Sequence, residues 1–113
     1  MKDVECLLKA LADKNRLRII KLLEARTLCV CELAYVLGIT QPSVSRHLRK
    51  LRSAGLVECA QDHFWTNYYL KQGDETVKTL LACFKRHLDG NRVVKADRAK
   101  LKRAGRIKQC YKI

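Results

Sequence analysis

Apolar residues in the N-terminal part of the chain recur at i, i+3, i+4 and i+7, the spacing of amphipathic helices. The first such stripe consists of Val4, Leu7, Leu8 and Leu11. Asp13 is placed to cap a second helix. The expected inward positions of that helix are Leu17, Ile20 and Leu23, and the expected water-facing positions are Arg16, Arg18 and Lys21.

Two further helices are predicted on either side of a tight turn. After a break near Ala25–Leu28, a third helix ends at Gly38. Pro42 then occupies the first turn of a fourth helix, where its missing N–H costs nothing, and Gly55 ends it. The apolar positions of the two helices are Leu33, Val36, Leu37, Val44, Leu48 and Leu51. Two helices joined by so short a glycine-containing turn predict a helix-turn-helix.

The period of the pattern changes after this unit. Residues 56–60 and 64–70 are rich in β-branched and aromatic side chains around a polar Gln61-Asp62-His63 turn, which predicts a β-hairpin. A further helix is predicted from Gly73-Asp74 to Gly90-Asn91. Residues 91–113 are basic with sparse apolar positions, so weak or partner-dependent helix is expected there. The pattern therefore predicts a mainly α fold with a small β-hairpin.

The net charge of +13 indicates a polyanionic partner. Residues 85–113 carry eleven Lys and Arg against two acids, a net of +9. This tail is either a solvated extension or a direct phosphate contact, and both interpretations stay open. The chain shows neither a membrane-length apolar run nor a secretory signal, so a cytoplasmic protein with reduced thiols is expected.

The outer face of the fourth helix carries side chains suited to the DNA major groove. Gln and Arg make bidentate contacts with base edges, whereas Ser and Lys suit phosphates. The candidate DNA-binding residues are Gln41, Ser43, Ser45, Arg46, Arg49 and Lys50. A polar, solvent-facing helix is the alternative interpretation. His47 either touches the DNA backbone or forms a hydrogen bond within the fold, and its residue type does not choose between them.

Cys29 and Cys31 form a Cys-x-Cys pair about ten residues ahead of the fourth helix. Two soft sulfur donors favour thiophilic ions over Mg²⁺ or Ca²⁺. Residues i and i+2 of a regular helix lie about 200° apart, so joint ligation is expected to unwind the first turn of the third helix. Strain passed to the fourth helix would then couple metal binding to DNA release. No organic cofactor is expected.

Three segments resemble the ArsR/SmtB family of metal-responsive repressors: residues 8–23 (LKALADKNRLRIIKLL), 41–56 (QPSVSRHLRKLRSAGL) and 65–70 (WTNYYL). The resemblance implies a homodimeric winged helix-turn-helix, with residues 1–90 as the DNA-binding and dimerisation domain and residues 91–113 as a basic tail. It also implies that the first and last helices form the dimer interface, and that a palindromic double-stranded operator is released when an inducer binds.

The segment TLCVCEL at residues 27–33 resembles that of the arsenic-, antimony-, cadmium- and lead-sensing members. The resemblance implies that Cys29 and Cys31 bind As(III) or Sb(III), or alternatively Cd(II) or Pb(II). Ala34 stands where arsenic repressors often have a third cysteine, so Cys110 in the tail is the candidate third donor.

Other features depart from the family pattern. The zinc-sensor positions correspond to Asp74, Thr76, His87 and Gly90, which lack two of four donors and exclude that zinc site. Asp62 at the wing turn would repel phosphate, and the basic tail could substitute for the wing there.

The leading interpretation is a repressor that releases its operator on binding a thiophilic metal or metalloid. One alternative is a thiol-redox-sensing regulator, in which Cys29 and Cys31 or other pairs oxidise. A second, from a different class, is an architectural DNA-binding protein without an effector. An enzyme is not expected, because the sequence shows no nucleophile–base arrangement, phosphate loop or Cys-x-x-Cys motif.

Overall fold

The computed structural model describes residues 1–104 of the chain, which form six helices and three short strands. In chain order they are α1 (Lys2–Leu11), α2 (Lys14–Ala25), β1 (Leu28–Cys29), α3 (Val30–Leu37), α4 (Gln41–Ser53), β2 (Val57–Asp62), β3 (Trp65–Leu70), α5 (Glu75–Asp89) and α6 (Arg92–Ala104). The strands form one antiparallel sheet in the order β1-β3-β2. Within residues 1–104, every helix is too short or too polar to cross a membrane.

The helix ends follow the capping residues in the sequence. The Asp13 carboxylate accepts a hydrogen bond from the Arg16 N–H at 3.0 Å, and Asp74 caps α5 in the same way. Gly38 ends α3 with φ of 71°, a left-handed conformation that glycine adopts without strain. Pro42 lies in the first turn of α4. The predicted caps and stops are therefore confirmed.

The helix-turn-helix and the hairpin are also confirmed. Val44, Leu48 and Leu51 of α4 are buried in the same apolar core as Leu33 of α3. The hairpin register runs from the Val57–Leu70 pair to the Asp62–Trp65 pair, so its turn consists of His63 and Phe64 and not of the predicted Gln61-Asp62-His63. This helix-turn-helix followed by a hairpin is a winged helix-turn-helix.

Strand β1 was not predicted. Its Leu28 pairs with Tyr68 and its Cys29 with Asn67, so β3 becomes the central strand of the sheet. Two residues are too few to show the alternation from which strands are predicted. The pairing ties the segment that precedes α3 to the wing.

The expectation that the cations of α2 face water is wrong. Lys21 is 2% exposed and Arg16 9% exposed. Lys21 pairs with Glu24 and with Asp89 of α5, the latter at 2.7 Å. Helix α2 lies at the centre of the fold between α1, α3 and α6, so its cations are buried with fixed partners.

Helix α6 packs on α2 and α3 although its apolar residues are sparse. Val94 and Leu101 are buried, and between them lies Asp97, which is 5% exposed. Arg18 of α2 donates from Nε and Nη2 to the two carboxylate oxygens of Asp97, each at 2.8 Å. A bidentate ion pair of this kind fixes a helix whose apolar stripe is narrow.

The apolar stripe of α1 is only half buried. Leu7 and Leu11 lie in the core, whereas Val4 is 55% exposed and Leu8 50% exposed. On α5, Phe84 is 46% exposed. These helices thus present apolar side chains to solvent in a single copy of the chain.

Candidate metal centre and nucleic-acid interface

The two cysteines of the Cys-x-Cys pair lie at the start of α3, with their sulfur atoms 3.3 Å apart. Cys29 is the N-cap and has extended backbone angles, φ −91° and ψ 171°, while Cys31 lies in the first turn. The premise that both sulfurs lie on one regular helix is therefore wrong. The helical 200° separation does not apply, because Cys29 stands outside the helix.

This separation of the sulfurs has a consequence for the ions that fit. With thiolate–metal bonds of about 2.3 Å, sulfurs 3.3 Å apart subtend an angle of about 90° at a shared ion. A tetrahedral ion at that bond length needs sulfurs about 3.8 Å apart. Sulfurs this close can ligate one thiophilic ion together once Cys31 is reduced.

A buried carboxylate takes part in capping the N-terminus of α3. Glu32, 6% exposed, accepts the Cys29 N–H at 3.1 Å, and the Cys29 sulfur in turn accepts the Glu32 N–H, which makes a reciprocal capping box. Arg26 pairs with the second Glu32 oxygen at 3.0 Å. This network fixes the backbone and the sulfur of Cys29 together.

The protonation state of Cys29 follows from these surroundings. Burial raises the pKa of the Cys29 thiol, and the Glu32 carboxylate raises it further, while the N–H groups of Glu32 and Cys31 lower it. Cys29 is accordingly a protonated thiol at neutral pH. Cys31 is disulfide-bonded in this structure, so an ion can use both sulfurs only after reduction.

A third donor is not found in the described part of the chain. Among residues 1–104, no group of three or more His, Cys, Asp or Glu side chains could hold a metal ion. Cys6 and Cys83 are exposed on α1 and α5, and Cys59 is half buried on β2. The predicted third donor, Cys110, lies outside the described residues.

The sulfur pair touches the wing directly. Trp65, at the start of β3, packs against Cys29. Cys29 also pairs with Asn67 two residues further along the same strand. Through this contact, a change at the sulfurs reaches the hairpin as well as α3.

The predicted DNA-binding residues share one face of α4. Gln41, Arg46, Arg49 and Lys50 are exposed, and Ser43 and Ser45 are half buried. A groove of about 400 Å³ separates this face from the wing. Its lining includes the predicted Ser45 and Arg49, and also Arg52, Ser53, Glu58 and Tyr68, which were not predicted.

A sequence signal existed for one of these missed residues. Arg52 follows Arg49 by three positions and therefore lies on the same helix face. Tyr68 could not have been found in this way, because the register of β3 against β2 sets its position.

Comparison with known proteins agrees with this architecture. The sequence profile of the bacterial regulatory proteins of the arsR family matches residues 13–58. The chain is 46% identical over 65 residues to the arsenical resistance operon repressor of Escherichia coli, a match that covers 57% of this chain and 56% of that protein. It is 39% identical over 75 residues to the repressor of the same name from Bacillus subtilis, covering 66% of this chain and 70% of that protein.

A solved structure shows the same fold. The homodimeric winged helix-turn-helix DNA-binding domain of a Mycobacterium bovis protein superposes with a TM-score of 0.69 at 31% identity, covering 78% of this chain and 80% of that one. The sequence, the order of the helices and the wing all match the same family. The chain belongs to the ArsR family of bacterial regulatory proteins.

Proposed function

We propose that this protein is a DNA-binding transcriptional repressor that releases its operator when a thiophilic metal or metalloid binds Cys29 and Cys31. The observation that carries the proposal is the pair of sulfurs 3.3 Å apart at the base of the helix-turn-helix. As(III) or Sb(III) is the first choice of inducer, and Cd(II) or Pb(II) is the alternative. The arsenical names of the E. coli and B. subtilis relatives support this choice.

Operator binding is assigned to the exposed face of α4. Arg46 and Gln41 project where they can make bidentate contacts with base edges in the major groove, and Lys50 suits a phosphate. The wing tip is exposed but presents Asp62 and His63 rather than Lys or Arg. The four exposed cations of α6, which are Arg92, Lys95, Lys102 and Arg103, are the alternative source of phosphate contacts. A regulator that binds operator DNA would work in the cytoplasm.

The working unit is proposed to be a homodimer. Val4 and Leu8 of α1 and Phe84 of α5 form exposed apolar surface that a second copy would cover. The M. bovis domain that shares this fold is homodimeric. Two recognition helices related by a two-fold axis would read a palindromic operator.

Coupling between inducer and operator is proposed to pass through the capping box and β1. An ion on the Cys29 sulfur would occupy a lone pair that the Glu32 N–H now uses, and it would lie beside Trp65, the first residue of β3 after the hairpin turn. The ion then favours a shape in which α3, α4 and the wing fit DNA poorly. Coupling of this kind typically amounts to about 1–3 kcal/mol. A third sulfur, from Cys110, would complete a three-coordinate site.

A second candidate function is thiol-redox sensing, which the disulfide at Cys31 favours. In that case oxidation, not an ion, would change the start of α3. An effector-free architectural protein is the remaining alternative. It would protect DNA uniformly, whereas a repressor would give a palindromic footprint.

The deciding experiment is an anaerobic titration of the fully reduced protein, bound to fluorescently labelled operator, with arsenite. Release followed by anisotropy is expected, and Cys29→Ser and Cys31→Ser should each bind the operator and fail to release it. Cys83→Ser, on the exposed face of α5, is the matched control and should release like the wild type. Retention of the operator by reduced wild type at saturating arsenite would exclude As(III) as the inducer. Retention with Cd(II) and Pb(II) as well would exclude the metal-responsive repressor and leave the redox sensor or the effector-free protein.

A further inference from the structure

One buried side chain joins three helices behind the recognition surface. The Arg16 guanidinium of α2 donates from Nε to the Ala10 carbonyl at 2.7 Å and from Nη2 to the Lys9 carbonyl at 3.3 Å. Both carbonyls belong to the last turn of α1, whose acceptors lack partners within the helix. From Nη1, 3.2 Å away, Arg16 reaches Nδ1 of His47 on α4.

This contact dictates the tautomer of His47. A guanidinium only donates and does not lose its proton in proteins, so Nδ1 must be the acceptor and the imidazole must be neutral, with its proton on Nε2. Burial lowers the pKa of His47, and the neighbouring Arg16, Lys50 and Arg46 lower it further, while Asp13 raises it. Neutral pH therefore keeps the bond intact.

A second possible partner for Nδ1 of His47 lies next to its hydrogen bond with Arg16. The Asp13 carboxylate oxygen that caps α2 lies 3.8 Å from the same Nδ1. Once Nδ1 carries a proton it repels Arg16 and is attracted to Asp13. From α1 the charged neighbour is Lys9, whose ammonium is paired with Glu5 at 2.8 Å. No other acid among the described residues is within ion-pair distance of His47.

We propose that the Arg16–His47 bond positions the recognition helix on the corner between α1 and α2, and that acidification weakens operator binding by protonating His47. The inference rests on operator binding by α4, and it is independent of the metal centre. Because α1 also carries the exposed Val4 and Leu8, the bond ties the reading helix to the surface that a second copy would cover. Arg16 acts here as a positioning residue that does not touch DNA.

The direction of this effect opposes simple electrostatics. Protonation adds a positive charge near α4, and charge alone would strengthen binding to phosphates as pH falls. Loss of the positioning bond instead weakens binding by about tenfold once only about a tenth of the molecules keep a neutral imidazole. The sign of the pH effect therefore separates the two accounts.

The test compares operator affinity at pH 7.5 and pH 5.0 for wild type and His47→Asn. The Asn carbonyl oxygen occupies the position of Nδ1 and accepts from Arg16 at every pH, so this variant should bind like wild type at pH 7.5 and lose no affinity at pH 5.0. Wild type should weaken over the same range, by the factor by which the fraction of neutral imidazole falls. His87→Asn, on the exposed face of α5, should keep the wild-type response. Equal pH responses of wild type and His47→Asn would overturn the proposal.

A second measurement needs no DNA and so separates this inference from the proposed function. Nitrogen-15 NMR of the imidazole should show an unprotonated Nδ1 for His47 at pH 7.5, with a pKa below the ordinary histidine value. A proton on Nδ1 at pH 7.5 would overturn the positioning bond, whatever the protein does with DNA. Thermal unfolding at both pH values confirms that each variant is folded during the comparison.

Discussion

The two helices of the helix-turn-helix begin with the same local geometry and different chemistry. At α4 the Thr40 hydroxyl accepts the Ser43 N–H at 3.3 Å, and at α3 the Cys29 sulfur accepts the Glu32 N–H. Both caps satisfy the third N–H of their helix. The α4 cap is exposed and chemically inert, whereas the α3 cap is buried and can bind a soft ion.

The comparison separates the α4 side chains proposed to contact DNA from the α3 cap proposed to bind the inducer. The side chains of α4 that we propose to contact DNA do not belong to the sulfur site, and the sulfur site lies on the elements that α4 and the wing pack against. An inducer bound at the sulfurs would therefore act on the position of α4 without touching the residues proposed to contact bases. The following predictions test this division, from the largest expected effect to the smallest.

Cys29→Ser should abolish the inducer response while leaving α3 capped. Serine keeps an N-cap acceptor and removes the soft donor. The release expected of wild type, about 5–150-fold in operator affinity, should disappear, and affinity without inducer should not change. Anisotropy titrations with and without arsenite measure both quantities. Release at wild-type arsenite concentrations would show that this sulfur is not a ligand.

Arg46→Ala should weaken operator binding and leave the inducer response unchanged. If Arg46 contacts a base, specific binding weakens by about 1–3 kcal/mol, while the factor by which arsenite lowers affinity stays the same. Operator titrations of Arg46→Ala against Arg86→Ala, an exposed arginine of α5, provide the measurement. An unchanged operator affinity would remove Arg46 from the interface.

The pH dependence of ligation should identify the ion class. Because burial raises the pKa of Cys29, its proton must leave when Cd(II) binds, and Cd(II) affinity should rise about tenfold per pH unit for each proton released, between about pH 6 and 8. Arsenous acid combines each thiol proton with a departing hydroxide to form water, so its affinity should be nearly flat. Calorimetry in two buffers of different ionisation enthalpy counts the protons. A flat Cd(II) profile would contradict a protonated Cys29.

Thr40→Ala should cost about 1 kcal/mol of unfolding free energy, the usual effect of removing an N-cap, with Thr40→Ser close to wild type. Urea unfolding measures the loss. The arsenite response should persist in both variants, because their sulfur site is intact. A lost response in Thr40→Ala would show that the two caps are not independent.

The sequence was informative where local signals set the structure. The caps at Asp13 and Asp74, the stop at Gly38 and the hairpin all follow from residue type and spacing. Contacts distant in the chain were not visible in this way. Arg16 and Lys21 lie on a polar face of α2, and only the packing of other helices around α2 buries them.

At the sulfur site too, the sequence predicted the residues but not their geometry. Cys29 and Cys31 were recognised as a soft-ion pair, but their mutual geometry was mistaken for that of a regular helix. Whether Cys29 is the N-cap or the first helical residue is a difference of one position, and it decides whether the sulfurs converge. Single-residue boundaries of this kind depend on β1 pairing with β3, which short patterns do not encode.

Trp65 is the sole tryptophan of the chain, and it packs against Cys29. A heavy atom held there would sit against the indole ring and quench its emission. Intrinsic fluorescence should consequently report site occupancy in real time, without a label and without DNA.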